Sequence, residues 1–312
     1  MTRSNIDIEI PSLSGIRAVV TGGSDGIGLR IATRLARAGA ELVLPVRNPA
    51  KGAAAIDTIH SAAPAAAVRT LPLDLSSLES VAAFGDAMRS DGAPLHLLVN
   101  NAGVMTPPER QTTRDGFEVQ LGTNHLGHVA LVAHLLPLLR EGRARVTSQV
   151  SVAASRGVVN WDDPNWERSY DGMRAYRHSK ILFGLFALEL DRRSEKHGWG
   201  ISSNLSHPGV APTSLLSARP ELGRAQDTLG VRMIRWASAR RLLVGTPETA
   251  ALPALLAATT PDAGRRQFGP SGPGRVGGAP AEQSLYRPLR SEADAARAWD
   301  LSARLAGVDF PG

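Results

Sequence analysis

The 312-residue sequence contains no cysteine. A disulfide framework, a thiolate metal site and a cysteine nucleophile are therefore excluded. Long hydrophobic runs are also missing, because the longest apolar stretches, around Val129–Leu139 and Ile181–Leu190, are too short to span a bilayer. The N-terminal residues MTRSNIDIEIPSLSG lack the apolar run of a signal peptide. We expect a cytoplasmic protein with no integral membrane segment.

Tyrosine and lysine are scarce, and arginine supplies most of the positive charge. The net charge of +6 would suit a nucleic-acid partner. The arginines are nevertheless scattered along an alanine- and glycine-rich chain, and no basic run is interleaved with aromatic residues. We therefore expect no nucleic-acid partner.

The first two thirds of the chain alternate between two kinds of segment. Short runs rich in β-branched residues predict strands at Ala18–Thr21, Glu41–Val46, Leu95–Asn100, Arg145–Val150 and Gly200–Ser206. Longer periodic stretches predict helices at Ile27–Ala38, Leu78–Ser90 and His125–Leu139. Apolar strands separated by helices indicate a parallel sheet covered on both faces. We predict an α/β fold built on a Rossmann-type doubly wound parallel sheet of about seven strands.

The C-terminal third contains clear loop and helix-capping signals. Residues 269–280, GPSGPGRVGGAP, predict a loop. Ser291, followed by Asp294, predicts the start of a final helix, and Gly307 stands where its C-terminal cap is expected. With no linker and no internal repeat, residues 1–312 are predicted to form a single domain, with 1–15 as an N-terminal extension.

A glycine cluster lies where the first predicted strand meets the first helix. Residues 18–32 read AVVTGGSDGIGLRIA. Glycines let the backbone turn tightly and approach a pyrophosphate, and the helix N-terminus offers free N–H groups to it. The context of strand, turn and helix is the one that a dinucleotide site requires.

The spacing Thr21-Gly22-x-x-x-Gly26-Ile27-Gly28 resembles the short-chain dehydrogenase/reductase superfamily rather than the commoner G-x-G-x-x-G fingerprint. Further segments match the family along nearly the whole chain, among them NNAG at 100–103 and HPG at 207–209. The resemblance implies a dinucleotide held by Gly22, Ser24, Asp25, Gly26, Ile27, Gly28, Arg47, Asn48, Asp74, Leu75, Asn101, Ala102, Gly103, Pro208, Gly209, Val210 and Thr213.

One of the rare tyrosines, Tyr176, stands four residues before one of the rare lysines, Lys180. The pair matches the Tyr-x-x-x-Lys motif of the same family, and Asn124 and Ser151 match its asparagine and serine. The resemblance implies a catalytic set of Asn124, Ser151, Tyr176 and Lys180, of which Tyr176 and Lys180 also contact the cofactor. Asn124 would anchor a water that connects Lys180 to solvent.

Physical chemistry gives the same roles to these residue types. Residues four apart on a helix share a face. A free phenol has a pKa near 10, and a neighbouring ammonium is expected to lower the pKa of Tyr176. Tyr176 can then exchange a proton with the substrate oxygen, while Ser151 holds that oxygen by a hydrogen bond. Ser148, three residues earlier, stays open as the alternative serine.

Two departures from the family pattern bear on the site. Pro45 lies inside the second predicted strand, where proline removes a ladder hydrogen bond. The segment between Ser151 and Tyr176 is longer than in typical members, and it is similar to the insertion of retinol-dehydrogenase-like and protochlorophyllide-reductase-like members. That similarity places the chain in this branch without naming a substrate.

The residue that closes the second strand decides between NADP(H) and NAD(H), because an acid there binds the ribose 2′-hydroxyl and repels a 2′-phosphate. Val46 occupies that position and Arg47 follows it, whereas Asp25 is acidic where some NADP binders carry a base. The sequence therefore favours NADP(H) and leaves NAD(H) open. We expect no metal at His125, His128 or His178, because no known ligand spacing surrounds them.

The leading functional hypothesis is an NADP(H)-dependent oxidoreductase acting on a carbonyl/alcohol pair. A non-redox epimerase or dehydratase using a bound dinucleotide, and a dinucleotide-sensing regulator, remain as alternatives. Trp161 and Trp166 in the insertion, and Leu229, Met233 and Trp236 in a substrate-lid region at 210–245, predict a bulky apolar substrate.

A homodimer or homotetramer is also predicted from the sequence. The helices that follow Asn124 and Tyr176, VALVAHLLPLL and ILFGLFALEL, are apolar on more than one face. A helix that lies on a sheet needs only one buried face. The alternative explanation is that the C-terminal segment covers the second face.

Overall fold

The computed structural model describes residues 6–212, 223, 229–239 and 244–311. The strands are β1 Arg17–Val20, β2 Glu41–Val46, β3 Val68–Pro72, β4 Leu97–Asn100, β5 Arg145–Gln149, β6 Ser202–Ser206, β7 Gln267–Pro270 and β8 Pro280–Gln283. The helices are α1 Gly26–Arg37, α2 Pro49–Ala62, α3 Leu78–Asp91, α4 Gly127–Glu141, α5 Gly172–His197, α6 Leu229–Ala239, α7 Pro247–Thr259 and α8 Glu292–Ala306. Across the described part of the chain, every helix is too short or too polar to cross a membrane.

All of these strands join one sheet in the order β3-β2-β1-β4-β5-β6-β7-β8. Pairing is parallel from β3 to β7, and β8 runs antiparallel to β7. The α/β doubly wound fold is confirmed, with eight strands in the described residues where about seven were expected. The strands that had not been located from the sequence are β3 and the pair β7 and β8, which flank the predicted loop at 269–280 and meet with Pro270 opposite Pro280. The glycine and proline residues of β7 and β8 are atypical of strands, so the sequence did not indicate this pair.

The two faces of the sheet are covered by different helices, because successive side chains of a strand point to opposite faces. Val19 and Val43 join a core with α3, α4, α5 and α8. Ala18, Val20 and Leu42 join a second core with α1, α2 and α7. Leu13, in the predicted N-terminal extension, is buried in this second core.

Pro45 is accommodated because its nitrogen faces the side of the sheet where β1 has ended. Leu42 donates to Ala67 and Val46 accepts from Leu73, so the even-numbered residues of β2 bond toward β3. The odd-numbered Pro45 therefore faces β1, whose pairing with β2 stops at Val43. No ladder hydrogen bond is lost at this position.

The final helix, α8, packs on α4 and α5. Ser291 accepts from Asp294 N and Gly307 ends the helix in the left-handed conformation, as predicted. Trp299 stacks on Phe186 of α5, with ring centroids 4.8 Å apart. The chain's own C-terminal helix thus covers the apolar surface that had suggested a contact between subunits, and this surface no longer requires a second copy.

Candidate active site

A cleft of about 840 Å³ opens at the carboxyl ends of the strands. It lies where the chain crosses over between β1 and β4, the position at which sheets of this kind bind ligands. Its lining includes these predicted residues: Gly22, Ser24, Asp25, Gly26, Ile27, Gly28, Arg47, Asn48, Asp74, Leu75, Asn101, Ala102, Gly103, Ser151, Tyr176, Lys180, Pro208, Gly209 and Val210. Thr213 lies outside the described residues.

The glycine turn brings the start of α1 against the end of β1. Gly22 has a φ of +65°, which favours glycine. A Cβ on Gly28 would lie 2.1 Å from the carbonyl oxygen of Gly22, so no larger residue fits there. Asp25 caps α1 by accepting from Gly26 N at 2.7 Å. The close backbone approach and the helix N-terminus fit a dinucleotide pyrophosphate.

Thr21 links this turn to β4 and to α4, a role that sequence reasoning missed. Its Oγ1 accepts from Asn101 N at 2.9 Å and from Ala102 N at 3.0 Å. With both lone pairs used, the hydroxyl donates to Nε2 of His128 at 3.0 Å rather than to the carbonyl of Val99 at 3.4 Å. His128 then donates from Nδ1 to the carbonyl of Asn124 at 3.1 Å.

Burial lowers the pKa of His128 to about 3, which agrees with a neutral ring. A protonated ring could not accept from the Thr21 hydroxyl. The signal that could have identified this contact is a threonine directly before the glycine turn. Its partner, 107 positions away, was not predictable from local pattern.

Tyr176 and Lys180 project from the same side of α5 into the cleft. Tyr176 is only 3% exposed. Burial raises its pKa above the usual value near 10, and the neighbouring Ser151 side chain opposes this rise. The lowered phenol pKa that was expected from Lys180 is therefore not found in this structure, because desolvation is the larger effect.

Lys180 is directed to the main chain of β5 rather than to the phenol. Its Nζ donates to the carbonyl of Gln149 at 2.8 Å, and burial lowers its pKa to about 8. Gln149 donates from Nε2 to Oδ1 of Asn101 at 2.7 Å. Gln149, the last residue of β5, thereby joins Lys180 to the turn after β4, and sequence reasoning did not single it out.

The two candidate serines lie in different surroundings. Ser148 is buried within β5, between Asn100 of β4 and Leu205 of β6. Ser151 follows the strand, lines the cleft and caps a 3₁₀ turn by accepting from Ala153 N at 3.2 Å. Of the two serines, Ser151 is therefore the one placed beside Tyr176.

Asn124 lies behind the cleft wall, in a π-helical turn at Leu121–Leu126. Its Oδ1 accepts from Val104 N at 2.7 Å, and its Nδ2 donates to Val104 O at 3.0 Å and to Ser179 Oγ at 3.1 Å. The amide is thus used to hold the chain after β4. The water-anchoring role assigned to Asn124 from the family stays a prediction.

The far end of the cleft is bordered by basic and polar residues that follow β2. Arg47 is exposed at the cleft wall, and Asn48 caps α2 by accepting from Lys51 N at 3.2 Å. Lys51, which sequence reasoning missed, also lines the cleft, and its Nζ lies 3.7 Å from Asp25. Asp74 is oriented by Ser76, whose N and Oγ both donate to its Oδ1.

The loop after β6 closes the opposite end. Gly209 has a φ of +71°, and a Cβ there would lie 2.5 Å from the carbonyl oxygen of Val276. His207 is fully buried and lies 3.0 Å from Oε1 of Gln283. Within the predicted lid region, Val210, Ala211 and Ile234 line the cleft.

The expectation that tryptophans form the substrate wall is wrong for the described residues. Trp166 is buried edge-on against His178, at 5.9 Å between ring centroids. The guanidinium of Arg297 lies 4.3 Å above Trp161. Trp236 is 55% exposed and Met233 is 71% exposed, and neither lines the cleft. These side chains pack the insertion or face outward, and among the α6 side chains that the structure describes, Ile234 lines the cleft.

The buried histidines are engaged in packing and hydrogen bonds. His125 lies 2.6 Å from Ser302 Oγ, and His178 accepts from Asn160 N at 3.0 Å. Within the described ranges, no group of three or more histidine, aspartate or glutamate side chains could hold a metal ion.

Comparison with known proteins agrees with this geometry. Residues 17–221 match the family model described as short chain dehydrogenase. Human retinol dehydrogenase 13 is 36% identical over 96% of this chain and 87% of its own length, and mouse polyprenol dehydrogenase is 36% identical over 91% and 84%. The chain belongs to the short-chain dehydrogenase/reductase family, in its retinol-dehydrogenase-like branch, and is an oxidoreductase of alcohol and carbonyl groups.

Solved structures give the same result. A putative uncharacterized protein from Mycobacterium paratuberculosis superposes with a TM-score of 0.77 at 32% identity, over 97% of this chain and 98% of its own. The RhlG/NADP active-site complex from Pseudomonas aeruginosa superposes with a TM-score of 0.60 at 26% identity, over 81% and 92%.

Proposed function

We propose that the protein is an NADP(H)-dependent oxidoreductase that interconverts a bulky apolar alcohol and its carbonyl, with Tyr176 as the acid/base. The observation that carries the proposal is the buried Tyr176 phenol, which lines a dinucleotide-sized cleft together with Ser151 and with Lys180, one helical turn further on. A sensor of dinucleotides would not need a phenol and an ammonium in this place.

The dinucleotide supplies the hydride, or accepts it, at its nicotinamide ring. In the direction of reduction, Tyr176 gives its proton to the carbonyl oxygen, and its raised pKa keeps it protonated until then. Ser151 donates a hydrogen bond to the same oxygen and fixes its position. Lys180, held by the carbonyl of Gln149, places a positive charge beside the developing phenolate and binds the nicotinamide ribose.

The preference for NADP(H) rests on the charges at the end of β2. Val46 offers no carboxylate to repel a 2′-phosphate, and Arg47 and Lys51 line that part of the cleft. Asp25, the residue that argued for NAD(H), accepts from Gly26 N and faces Lys51. Its charge is thereby partly offset. The NADP complex of the Pseudomonas relative supports the same choice.

The proposed substrate class rests on the apolar part of the cleft lining. These apolar side chains line the cleft: Val104, Met105, Val152, Ala153, Ala211 and Ile234. Apolar walls with few polar groups are typical of sites for small apolar molecules. Two relatives are named for retinol and polyprenol, which are both long apolar alcohols.

The test is to add NADPH with propanal, decanal and all-trans-retinal and to follow the absorbance of NADPH. NADPH oxidation with a higher kcat/KM for decanal and retinal than for propanal supports the proposal. Conversion of a substrate without net oxidation would indicate an epimerase or dehydratase, and binding of NADPH without turnover would indicate a sensor. The homo-oligomer and the cytoplasmic location stay predictions.

A further inference from the structure

The chain segment after β4 is held at two points by one helical face. Asn124 clamps Val104 through its N–H and its carbonyl, at 2.7 and 3.0 Å. Gln120, four residues before Asn124, accepts from Thr106 N with its Oε1 at 2.7 Å. Met105 lies between the two clamped residues and lines the cleft. Thr106 adopts a φ of +43°, a strained conformation that needs such support.

The amide of Gln120 has a fixed orientation. Its Nε2 faces three oxygens: Oε1 of Glu118 at 3.2 Å, the hydroxyl of Tyr170 at 3.2 Å and the carbonyl of Gly172 at 3.0 Å. A flipped amide would turn its oxygen toward these acceptors and its NH₂ group toward the Thr106 N–H. Oε1 must therefore face Thr106.

Glu118 is the anchor of this arrangement. The residue is fully buried. Its Oε2 accepts from Gln120 N at 3.0 Å and from Leu121 N at 2.8 Å. Its Oε1 accepts from Gln120 Nε2 and, at 3.3 Å, from the hydroxyl of Tyr170. Such a buried carboxylate with several donors is tolerated because its acceptor positions are used.

The cluster of Glu118, Gln120 and Tyr170 joins the insertion to the helix that carries Tyr176. Tyr170 lies in the insertion, two residues before Gly172, which is the first residue of α5. A Cβ on Gly172 would lie 2.6 Å from the carbonyl oxygen of Pro107, so the loop after β4 and the start of α5 touch through their backbones. Glu118, Gln120 and Tyr170 themselves do not line the cleft.

We propose that Gln120, oriented by Glu118 and Tyr170, is a positioning residue that sets the Met105 wall of the substrate cleft and thereby selects carbonyl substrates by apolar size. This inference rests on the proposed function. It explains why a fully satisfied polar cluster is buried at this place, where an apolar cluster would fill the same space without fixing the segment 104–107.

The test uses Gln120→Met, which keeps the length of the side chain and removes its acceptor and donors. The ratio of kcat/KM for decanal to that for propanal should fall roughly tenfold, mainly through a higher KM for decanal. The kcat on propanal and the Kd for NADPH should stay within about threefold, since Tyr176 and the dinucleotide residues are untouched.

Two further variants separate positioning from general stability. Arg168→Met is the matched control, because the exposed Arg168 binds within the same insertion, donating to the carbonyl of Asp162 at 2.8 Å, and has no hydrogen bond to Glu118, Gln120 or Tyr170. It should keep the wild-type ratio. When Gln120→Met is added to the Met105→Ala variant, the ratio of kcat/KM for decanal to that for propanal should change by less than about twofold, because Gln120 acts through Met105.

Hydrogen exchange at the Thr106 amide gives a readout that needs no turnover. The amide should exchange at least about tenfold faster in Gln120→Met than in wild type or Arg168→Met. The inference would be overturned by an unchanged ratio of kcat/KM, by an equal effect of Arg168→Met, by full additivity with Met105→Ala, or by unchanged exchange at Thr106. Failure of the wild-type enzyme to reduce any aldehyde, with the exchange difference present, would overturn the proposed function and leave only the clamp on Thr106.

Discussion

The ammonium of Lys180 donates a 2.8 Å hydrogen bond to the main-chain carbonyl of Gln149, and the side chain of Gln149 in turn holds Asn101. The lysine is therefore placed by the end of β5 and connected through it to the turn after β4. Its burial has a measurable consequence, because a buried ammonium loses its proton more easily than an exposed one.

The activity should decline as pH rises through about 8. Burial lowers the pKa of Lys180 from 10.5 to about 8, so its positive charge is lost above that pH. Tyr176, with its raised pKa, stays protonated over the same range. The profile of kcat/KM for aldehyde reduction between pH 6 and 10 reports this titration in the free enzyme. Lys180→Arg should move the decline upward, and a flat wild-type profile up to pH 9.5 would contradict the assignment.

Tyr176→Phe should abolish most of the turnover and spare cofactor binding. Removing the hydroxyl removes the proton donor, and we expect kcat to fall by a factor on the order of a hundred or more. The Kd for NADPH, measured by fluorescence, should stay within a few-fold of wild type. Loss of both turnover and NADPH binding would instead indicate that Tyr176 is needed for the fold.

Arg47→Ala should weaken NADPH binding by roughly tenfold, equivalent to about 1.4 kcal/mol, through loss of a charge-assisted contact with the 2′-phosphate. NADH, which lacks that phosphate, is the internal control and should bind almost unchanged. Equal weakening of both cofactors would show that Arg47 does not recognise the phosphate.

The protein should lose stability sharply below neutral pH. Burial lowers the pKa of His125 and His128 to about 3 and that of His178 and His207 to about 4. The unfolded chain takes up these four protons near pH 6.5, and the folded chain does not. The free energy of unfolding should therefore fall by about 3 kcal/mol between pH 7 and pH 6. Urea denaturation at pH 7 and pH 6 measures this free energy, and equal values at the two pH values would contradict the prediction.

Trp299→Ala should remove much of the contact between α8 and α5. The ring is 3% exposed and stacks on Phe186, so truncation should cost about 3–5 kcal/mol of unfolding free energy. Arg304→Ala, at an exposed position of the same helix, is the control and should cost little. Light scattering would show whether exposing the apolar face of α5 makes the variant associate. An unchanged free energy of unfolding would mean that the contact between α8 and α5 does not stabilise the fold.

The sequence alone was sufficient for the elements whose signals are local. β2 begins and ends at the predicted residues, and α3 differs from its prediction by one residue. The glycine turn, the Tyr176–Lys180 pair and the cap at Ser291 could be predicted because each depends on residues within a few positions of one another. Most of the cleft residues could be named in advance because the chain's motifs resemble those of the short-chain dehydrogenase/reductase superfamily.

Tertiary packing decided the rest, since it depends on residues that are far apart in the chain. The contact of Thr21 with His128 and the clamp of Gln120 on Thr106 follow from how α4 and the π-helical turn before it meet the strand ends. The apolar second faces of α4 and α5 are covered by α8, and the tryptophans of the insertion pack inward. The pKa values of Tyr176 and Lys180 are set by desolvation in the folded cleft, which no spacing of residues can reveal.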